Sequence, residues 1–290
     1  MTIAGRQQAV VRNVTEAPRL VCAEIWGGNH EIDAPIRLPG IHGRVFSLPA
    51  AGGRGGDIHY VSICSSGLLS RFCLADVAGH GEPVAQVSAE IHRLLRRFMN
   101  HHDERRVLTE LNRRLEGTEL ERMTTAAAVS YLPPLRMLTV SYAGHPPAWF
   151  YSAAEQRWSR LLAEVREDGR VGLPLAVLRE AAFSRRKLRV RPGDRLVLVT
   201  DGVLEAPSPE GVLFGDDRLD RLLGERAGEP IERLVAAIIE SLRAYTGDPQ
   251  LEHDDVTVLA VEFQKGPPAM GLGTLLRNRL FGWRRRRVQT

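Results

Sequence analysis

Long apolar segments are missing from this sequence. It has no uncharged apolar run of about 18 residues, and its N-terminal segment lacks the apolar stretch of a secretory signal. A membrane-spanning helix needs about 20 such residues, so a transmembrane protein is not expected. The sequence therefore predicts a cytoplasmic protein.

Cysteine is scarce. The 290 residues include three cysteines, Cys22, Cys64 and Cys73, which form no CxxC pair. An odd number without paired spacing argues against a disulfide framework and favours a reducing compartment. None is followed by arginine six positions later, so the CxxxxxR loop of cysteine-dependent phosphatases is absent. We interpret all three as small buried hydrophobes.

Acidic residues are missing from the C-terminal end. From Lys265 onward there are seven basic residues and no acidic one, whereas the whole chain has a net charge of +4 and a pI near 9.2. Removing those seven charges leaves residues 1–264 at −3. The basic pI therefore reflects a tail, and no nucleic-acid partner is expected.

The composition that remains is that of an ordinary globular protein, with 43% hydrophobic and 26% charged residues. We predict an N-terminal extension with an edge strand at 1–39, a main domain at 40–264 and a basic tail at 265–290. The segment CAEIWGGNHEID supplies the edge strand and a loop.

Two hydrophobic periods alternate along the main domain. Alternating or β-branched apolar runs predict strands, and apolar residues three and four apart predict helices. The order predicts an α+β fold, a four-layer α-β-β-α sandwich of two mainly antiparallel sheets flanked by helices. Predicted strands are 43–48, 58–66, 68–77, 124–133, 136–144, 187–190, 195–200 and 256–263, and predicted helices are 84–98, 104–115, 217–223 and 230–245.

Several aspartates stand in small-residue turns at the predicted ends of strands. They occur in GGD at 55–57, DVAGHG at 76–81, TDG at 200–202 and HDDVT at 253–257. We expect the glycine-rich segment before Asp57 to deliver this residue on a loop. Each turn alone is explained by ordinary turn chemistry. Together, four such turns at one end of a sheet would offer the oxygen ligands that Mg²⁺ and Mn²⁺ prefer.

These turns, with four further segments, resemble the metal-dependent PPM family, which has the protein phosphatase 2C fold. The similar branch is that of stage II sporulation protein E and related bacterial stress-response phosphatases. The resemblance covers roughly residues 40–263. The segments are GGD, DVAGHG, MTTA at 123–126, AGHPP at 143–147, GLPLAV at 172–177, TDGVLEA at 200–206 and DDVTVL at 254–259.

The resemblance implies a site for two divalent cations, Mn²⁺ or Mg²⁺. Asp76 would bridge both ions, and the backbone carbonyl of Val77 would bind one of them. Asp57 would support the second ion, and Asp201 would hold the first. Of the 254–255 pair, Asp254 aligns with the family ligand, which leaves Asp255 to support the ligands; a direct metal contact by Asp255 stays open.

By resemblance, the activity is hydrolysis of phosphoserine or phosphothreonine on a protein by water attacking phosphorus in line. The substrate implied is a phosphorylated protein of bacterial partner switching, such as an anti-sigma-factor antagonist. Two departures stand out. Tyr60 takes a place where an acidic residue is frequent, and Ala176 one where glycine is frequent.

Tyr60 motivates an alternative function, a catalytically silent phosphatase-fold module that docks a kinase or an antagonist protein. His80 and His145, both beside glycine, are weighed as proton donors to the leaving oxygen. Hydrogen bonding of each to a turn, where it orients an aspartate, is the favoured interpretation.

The tail has apolar residues that fall near one helical face, followed by four arginines. A basic amphipathic segment with tryptophan can contact an anionic membrane, which would place the protein at the inner membrane surface. A disordered tail or a partner-docking helix is the equal alternative, because three glycines weaken a helix. The apolar residues are Leu272, Leu275, Leu276, Leu280 and Trp283.

Overall fold

A computed structural model of the chain describes residues 22–50, 52–64, 68–79, 81–98, 103–117, 122–162 and 172–265. The first half contains β1 (Cys22–His30), β2 (Ile32–Leu38), β3 (Ile41–Leu48), β4 (Arg54–Cys64), β5 (Ser70–Val77), α1 (Glu82–Phe98), α2 (Glu104–Leu115) and β6 (Thr124–Leu132). The second half contains a 3-10 helix (Pro133–Leu135), β7 (Met137–Ala143), β8 (Trp149–Ser152), β9 (Arg157–Arg160), β10 (Arg185–Arg189), β11 (Arg195–Val199), α3 (Asp201–Leu204), α4 (Gly215–Glu225), α5 (Ile231–Thr246) and β12 (Val256–Phe263).

The strands form two six-stranded sheets. The first has the order β1-β4-β5-β6-β7-β10 and the second the order β2-β3-β12-β11-β8-β9. All neighbouring strands pair antiparallel. The N-terminal strands β1 and β2 lie at the edges of different sheets, so the segment before residue 40 extends both of them. The domain limits at residues 40 and 264 stay predictions.

Three apolar clusters divide the molecule into layers. One lies between the first sheet and helices α1 and α2, and a second lies between the two sheets. The third packs the second sheet against α4 and α5. Successive residues of a strand face opposite sides, so each strand supplies two of these layers. The predicted α+β class and the four-layer sandwich of antiparallel sheets are confirmed.

The structural context of Asp57 differs from the one predicted. We expected a loop to deliver it, but β4 begins at Arg54, which pairs with His30 of β1. Gly55 and Gly56 are therefore part of a strand despite their low strand preference, whereas Gly52 and Gly53 precede it with positive φ angles of 68° and 75°. Asp57 thus lies within β4, in the irregular part of its pairing with β1 and one residue before the ladder with β5 begins at Ile58.

Other differences are smaller. The strands β2, β8 and β9 and the single-turn helix α3 were not predicted, and Pro133-Pro134 belong to a 3-10 helix between β6 and β7. The hairpin turn predicted at Ser66-Gly67 lies outside the described residues. Among the described helices, none is long and apolar enough to cross a bilayer.

Candidate metal centre

The layer between the sheets changes from apolar to polar at one end. On β5, Phe72 and Leu74 face this layer, and Asp76 is next on the same side. On β12, Leu259 and Val261 face it, and Thr257 continues the row toward the same end. The predicted acids are therefore carried by both sheets around the open end of the sandwich, rather than by one end of a single sheet.

Asp57 and Asp76 form the half of the site on the first sheet. Ile58 pairs with Ala75 across β4 and β5, so Asp57 and Asp76 follow as neighbours on the inter-sheet face. Burial raises the pKa of Asp57 well above its usual range, and the charge of Asp76 raises it further. Burial likewise raises the pKa of Asp76 to about 8, with added repulsion from Asp201 and Asp254.

Asp201 and Asp254 form the half on the second sheet. Asp201 is the first residue of α3, directly after β11, and Asp254 lies in the loop before β12. Burial raises the pKa of both carboxyl groups. Each side-chain Oδ1 accepts a hydrogen bond from the following backbone N–H, at 3.0 Å from Gly202 and 2.8 Å from Asp255. Asp254 is exposed as a residue, although its carboxyl group is partly desolvated.

Asp255 points the other way and joins the two halves. Its Oδ1 accepts from the N–H of Ala50 at 2.8 Å, and its Oδ2 accepts from the N–H groups of Gly56 and, at 3.2 Å, Asp57. A carboxylate that accepts three backbone donors has little capacity left for an ion. In this structure Asp255 holds the start of β4.

The glycines of the GGD segment are required by this arrangement. A Cβ atom on Gly55 would overlap the carboxylate of Asp255, and one on Gly56 would lie 2.9 Å from the carbonyl oxygen of Val77. The buried Val77 thus presents its carbonyl next to a residue without a side chain. Gly202 is equally constrained, because a Cβ there would overlap the backbone oxygen of Asp255.

Buried hydroxyl groups near Asp57 were not singled out from the sequence. Thr200 Oγ1 donates to Asp57 Oδ2 at 2.7 Å, and the backbone N–H of Thr257 donates to Thr200 Oγ1 at 3.0 Å. Thr257 Oγ1 is 2.8 Å from Ser47 Oγ. Thr200 directly precedes Asp201 in TDG, and Thr257 is two residues after Asp255 in DDVT; this proximity to the predicted acids could have indicated both.

His145 is neutral. Its Nδ1 lies 2.9 Å from the hydroxyl oxygen of Thr125, which pairs with Asp76 across β5 and β6. Burial lowers the pKa of His145 to about 3. This agrees with a role in hydrogen bonding rather than proton donation. His80 lies outside the described residues.

Two further side chains near the acids were missed. Glu205, in the TDGVLEA segment, adds a negative charge that contributes to the raised pKa of Asp76. His253 Nε2 is 2.8 Å from the carbonyl oxygen of Gly202, so it fastens the loop before β12 to α3. Tyr60 is buried in the cluster beneath α1, on the face of β4 opposite Asp57.

The donor set suits divalent cations, although no three Asp, Glu, His or Cys side chains of the described residues already converge on one point. All donors are hard oxygen ligands. Asp57 Oδ1 is buried and has no hydrogen-bond partner among the described residues. The mutual repulsion that raises the pKa of Asp76 is what a cation would relieve. Asp57, Asp76, Asp201 and Asp254, with the Val77 carbonyl, therefore fit such ions.

The comparisons with known proteins agree with the fold. The family model described as "Stage II sporulation protein E (SpoIIE)" matches residues 69–264. The phosphoserine phosphatase RsbU of Bacillus subtilis (strain 168) is 28% identical over 219 residues, which cover 74% of this chain and 61% of RsbU. The chain thus spans less than two thirds of that relative.

Solved structures show the same architecture. The RsbU and RsbW domains of a Mycobacterium tuberculosis protein superpose with a TM-score of 0.66 at 23% identity, over 88% of this chain and 70% of that one. The SiaA-PP2C domain of Pseudomonas aeruginosa gives a TM-score of 0.64 at 20% identity, over 76% and 85%. At these identities the likeness is one of fold.

Proposed function

The chain belongs to the stage II sporulation protein E family, and from that membership we propose that it is a metal-dependent phosphatase acting on phosphoserine or phosphothreonine of a protein. The observation that carries the proposal is the group of acids at the open end of the sandwich, where the pKa of Asp76 is raised to about 8 by burial and by neighbouring carboxylates. Such repulsion costs stability unless cations bind there.

The residues divide the work of binding. Asp76 would hold both ions, and the Val77 carbonyl would bind one of them. Asp57 would hold the second ion, and Asp201 and Asp254 would hold the first. When bound, two Mg²⁺ or Mn²⁺ ions would supply charge stabilisation of the phosphoryl oxygens and lower the pKa of the attacking water.

The remaining groups fix the geometry of the ligands. Asp255 holds the backbone of Gly56 and Asp57 through its carboxylate, and Thr200 holds the Asp57 side chain. His145, buried and neutral, holds the hydroxyl of Thr125 opposite Asp76. No side-chain nucleophile is needed in this scheme. The described cysteine Cys73 is buried, and burial raises the pKa of its thiol to about 12, so it is not a nucleophile.

For the substrate, we propose a phosphorylated regulatory protein of partner switching, such as an anti-sigma-factor antagonist. The support is the similarity to RsbU, a phosphoserine phosphatase. The alternative of a silent docking module rested on Tyr60. This residue lies in the core beneath α1, on the face of β4 away from the acids. A tyrosine at this position therefore does not leave the group of acids short of a ligand.

The tail adds a separate proposal about location. Residues 266–290 lie outside the described residues, so contact with an anionic membrane surface rests on the sequence pattern alone. A disordered or partner-docking tail is the competing proposal.

A phosphatase assay tests the main proposal. Protein stripped of metal by a chelator should not hydrolyse a phosphoserine peptide, and Mn²⁺ or Mg²⁺ should restore hydrolysis. Asp76→Asn, purified in the same way, controls for contaminating phosphatases. Activity that survives thorough chelation would exclude the two-metal mechanism.

A further inference from the structure

A chain of hydrogen bonds crosses from the second sheet to the first at the acid end. It runs from the backbone N–H of Thr257 to Thr200 Oγ1 at 3.0 Å, and from this oxygen to Asp57 Oδ2 at 2.7 Å. Thr200, Thr257 and Asp57 are all buried, with at most 3% of each exposed. Solvent therefore cannot replace these partners without opening the sandwich.

The direction of each bond is fixed by chemistry. A backbone N–H can only donate, and the oxygens of an ionised carboxylate, the form that would bind a cation, can only accept. The hydroxyl of Thr200 has one proton. Its oxygen accepts a hydrogen bond from the Thr257 N–H, and its O–H donates a hydrogen bond to Asp57 Oδ2. The two oxygens of Asp57 are thereby made different, since Oδ1 is buried and accepts no hydrogen bond of normal geometry among the described residues. The Thr257 hydroxyl also lowers the pKa of Asp57, but its oxygen is already 2.8 Å from Ser47 Oγ.

The main chain of Asp57 is held by a residue directly before β12 of the second sheet. Its N–H donates to Asp255 Oδ2 at 3.2 Å, and Asp255 follows the Asp254 of the proposed ion site. Backbone and side chain of Asp57 are thus both anchored to residues that adjoin the ligands proposed on the second sheet. A buried carboxylate with one occupied and one open oxygen is oriented for a ligand role.

We propose that Thr200 is a positioning residue, whose hydroxyl occupies Oδ2 of Asp57 and leaves Oδ1 as the oxygen available to a divalent cation. The inference rests on the proposed function, because it assigns Asp57 to the second ion. It adds that Thr200 orients a ligand of the second ion, whereas the neighbouring Asp201 would bind the first. Thr200 links the two halves of the site through Asp57 and does not touch an ion itself.

Three variants test the role of the hydroxyl. Thr200→Val keeps the branched shape and removes the donor, and Thr200→Ser keeps the donor. Thr139→Val makes the same change at a buried threonine of β7 that pairs with Ser130 and Lys187, away from the acids. If Thr200→Val does not fold, Thr200→Cys offers a side chain of similar size with a weak donor.

The readout is binding of Mn²⁺ to metal-free protein, measured by calorimetry, together with the unfolding temperature of each variant without metal. We expect Thr200→Val to weaken binding of one Mn²⁺ about 10-fold or more. Thr200→Ser should restore most of the affinity, and Thr139→Val should bind as the wild type does. If the hydroxyl were merely structural, its removal would lower the unfolding temperature without selectively weakening the binding of one ion, and the proposal would be wrong.

A double-variant cycle tests the route through Asp57. Asp57→Asn and Asp57→Asn/Thr200→Val should bind Mn²⁺ equally, because the hydroxyl acts only through the carboxylate. Wild-type affinity in Thr200→Val, or losses that add in full, would overturn the proposal. Wild-type protein that binds no Mn²⁺ would overturn it along with the proposed function. Protein that binds two ions but hydrolyses no phosphoester would contradict the proposed function alone.

Discussion

The two sheets contribute unlike halves to one cluster of acids. On the first sheet, Asp57 and Asp76 stand within hydrogen-bonded strands, and Asp57 is only 3% exposed. On the second sheet, Asp201 begins a short helix and Asp254 lies exposed in a loop. Burial and repulsion therefore concentrate on the first half. The acids of the first half are therefore held in place by their strands and by burial, whereas the second half is in contact with solvent.

The largest effect is expected at Asp76, the acid that faces both halves. Asp76→Asn should lower phosphatase activity on the order of 10³-fold, a loss comparable to removing a principal electrostatic group from an active site. The metal-free variant should be at least as stable as the wild type near pH 8, because a charge that repels Asp201 and Asp254 is gone. Steady-state kinetics and thermal unfolding measure both. Unchanged turnover would end the metal hypothesis.

The adjacent pair Asp254 and Asp255 separates ion binding from structure. Asp254→Asn should reduce activity about 100-fold or more with little change in stability, since among the described residues its carboxylate accepts a hydrogen bond only from the next N–H. Asp255→Asn should cost about 1–3 kcal/mol of unfolding free energy, because backbone donors lose a charged acceptor. Its activity should fall less.

Denaturant unfolding and Mn²⁺ titration of the two variants decide this comparison. Equal and complete loss of Mn²⁺ binding in both would show that Asp255 also ligates an ion. The two carboxylates would then have the same role, and the distinction drawn from their hydrogen bonds would be wrong.

The sequence predicted the layers well because the fold follows from local patterns. Strand β12 matches the predicted 256–263 and helix α2 the predicted 104–115, since their apolar periods are long and uninterrupted. The strands β8 and β9 were missed because each has four residues, too few for a period to show. Asp57 was misplaced because glycines favour turns locally, whereas β4 already begins at Arg54, which pairs with His30 of β1, a residue distant in sequence.

The motifs of the candidate site could be predicted from the sequence, but the residues that support the acids could not. The acids follow from the family resemblance, but the threonines beside them are ordinary strand residues until both sheets are in place. Ala176 shows a related limit. Its φ of 61° lies in the left-handed region, which explains why glycine is frequent there, although the sequence alone suggested no backbone reason.

Gly55 tests the contact between the halves. Gly55→Ala should destabilise the protein by about 1–3 kcal/mol, because its Cβ would overlap the carboxylate of Asp255. Gly224→Ala in α4, where a Cβ meets open space, is the matched control and should raise stability by up to about 1 kcal/mol. Chemical denaturation measures both. Equal behaviour of the two variants would contradict the close approach of the sheets.

The smallest effect on activity is expected outside both halves. Truncation after Gln264 removes seven basic charges but none of the proposed ligands and none of the strands of the described residues, so hydrolysis of a small phosphoester should persist. If the tail is amphipathic, the full-length chain should bind anionic vesicles, and salt should weaken binding by screening. Full-length protein that stays in the supernatant at low salt would exclude the membrane proposal.

The most direct test of the account follows the unfolding temperature of metal-free protein against pH, with and without Mn²⁺. Because the pKa of Asp76 is raised from 3.8 to about 8 in the folded state, its contribution to stability is present below pH 3.8 and is lost as pH rises toward 8. Below pH 6.5 the lowered pKa values of the buried His59 and His145 act in the opposite direction, because those side chains take up a proton only on unfolding. We therefore expect metal-free protein to lose stability between pH 6.5 and about pH 8, and Mn²⁺ to restore it, most strongly near pH 8. Stability that rises with pH in that interval in the absence of metal, or no effect of Mn²⁺ near pH 8, would contradict a cation site built from these acids.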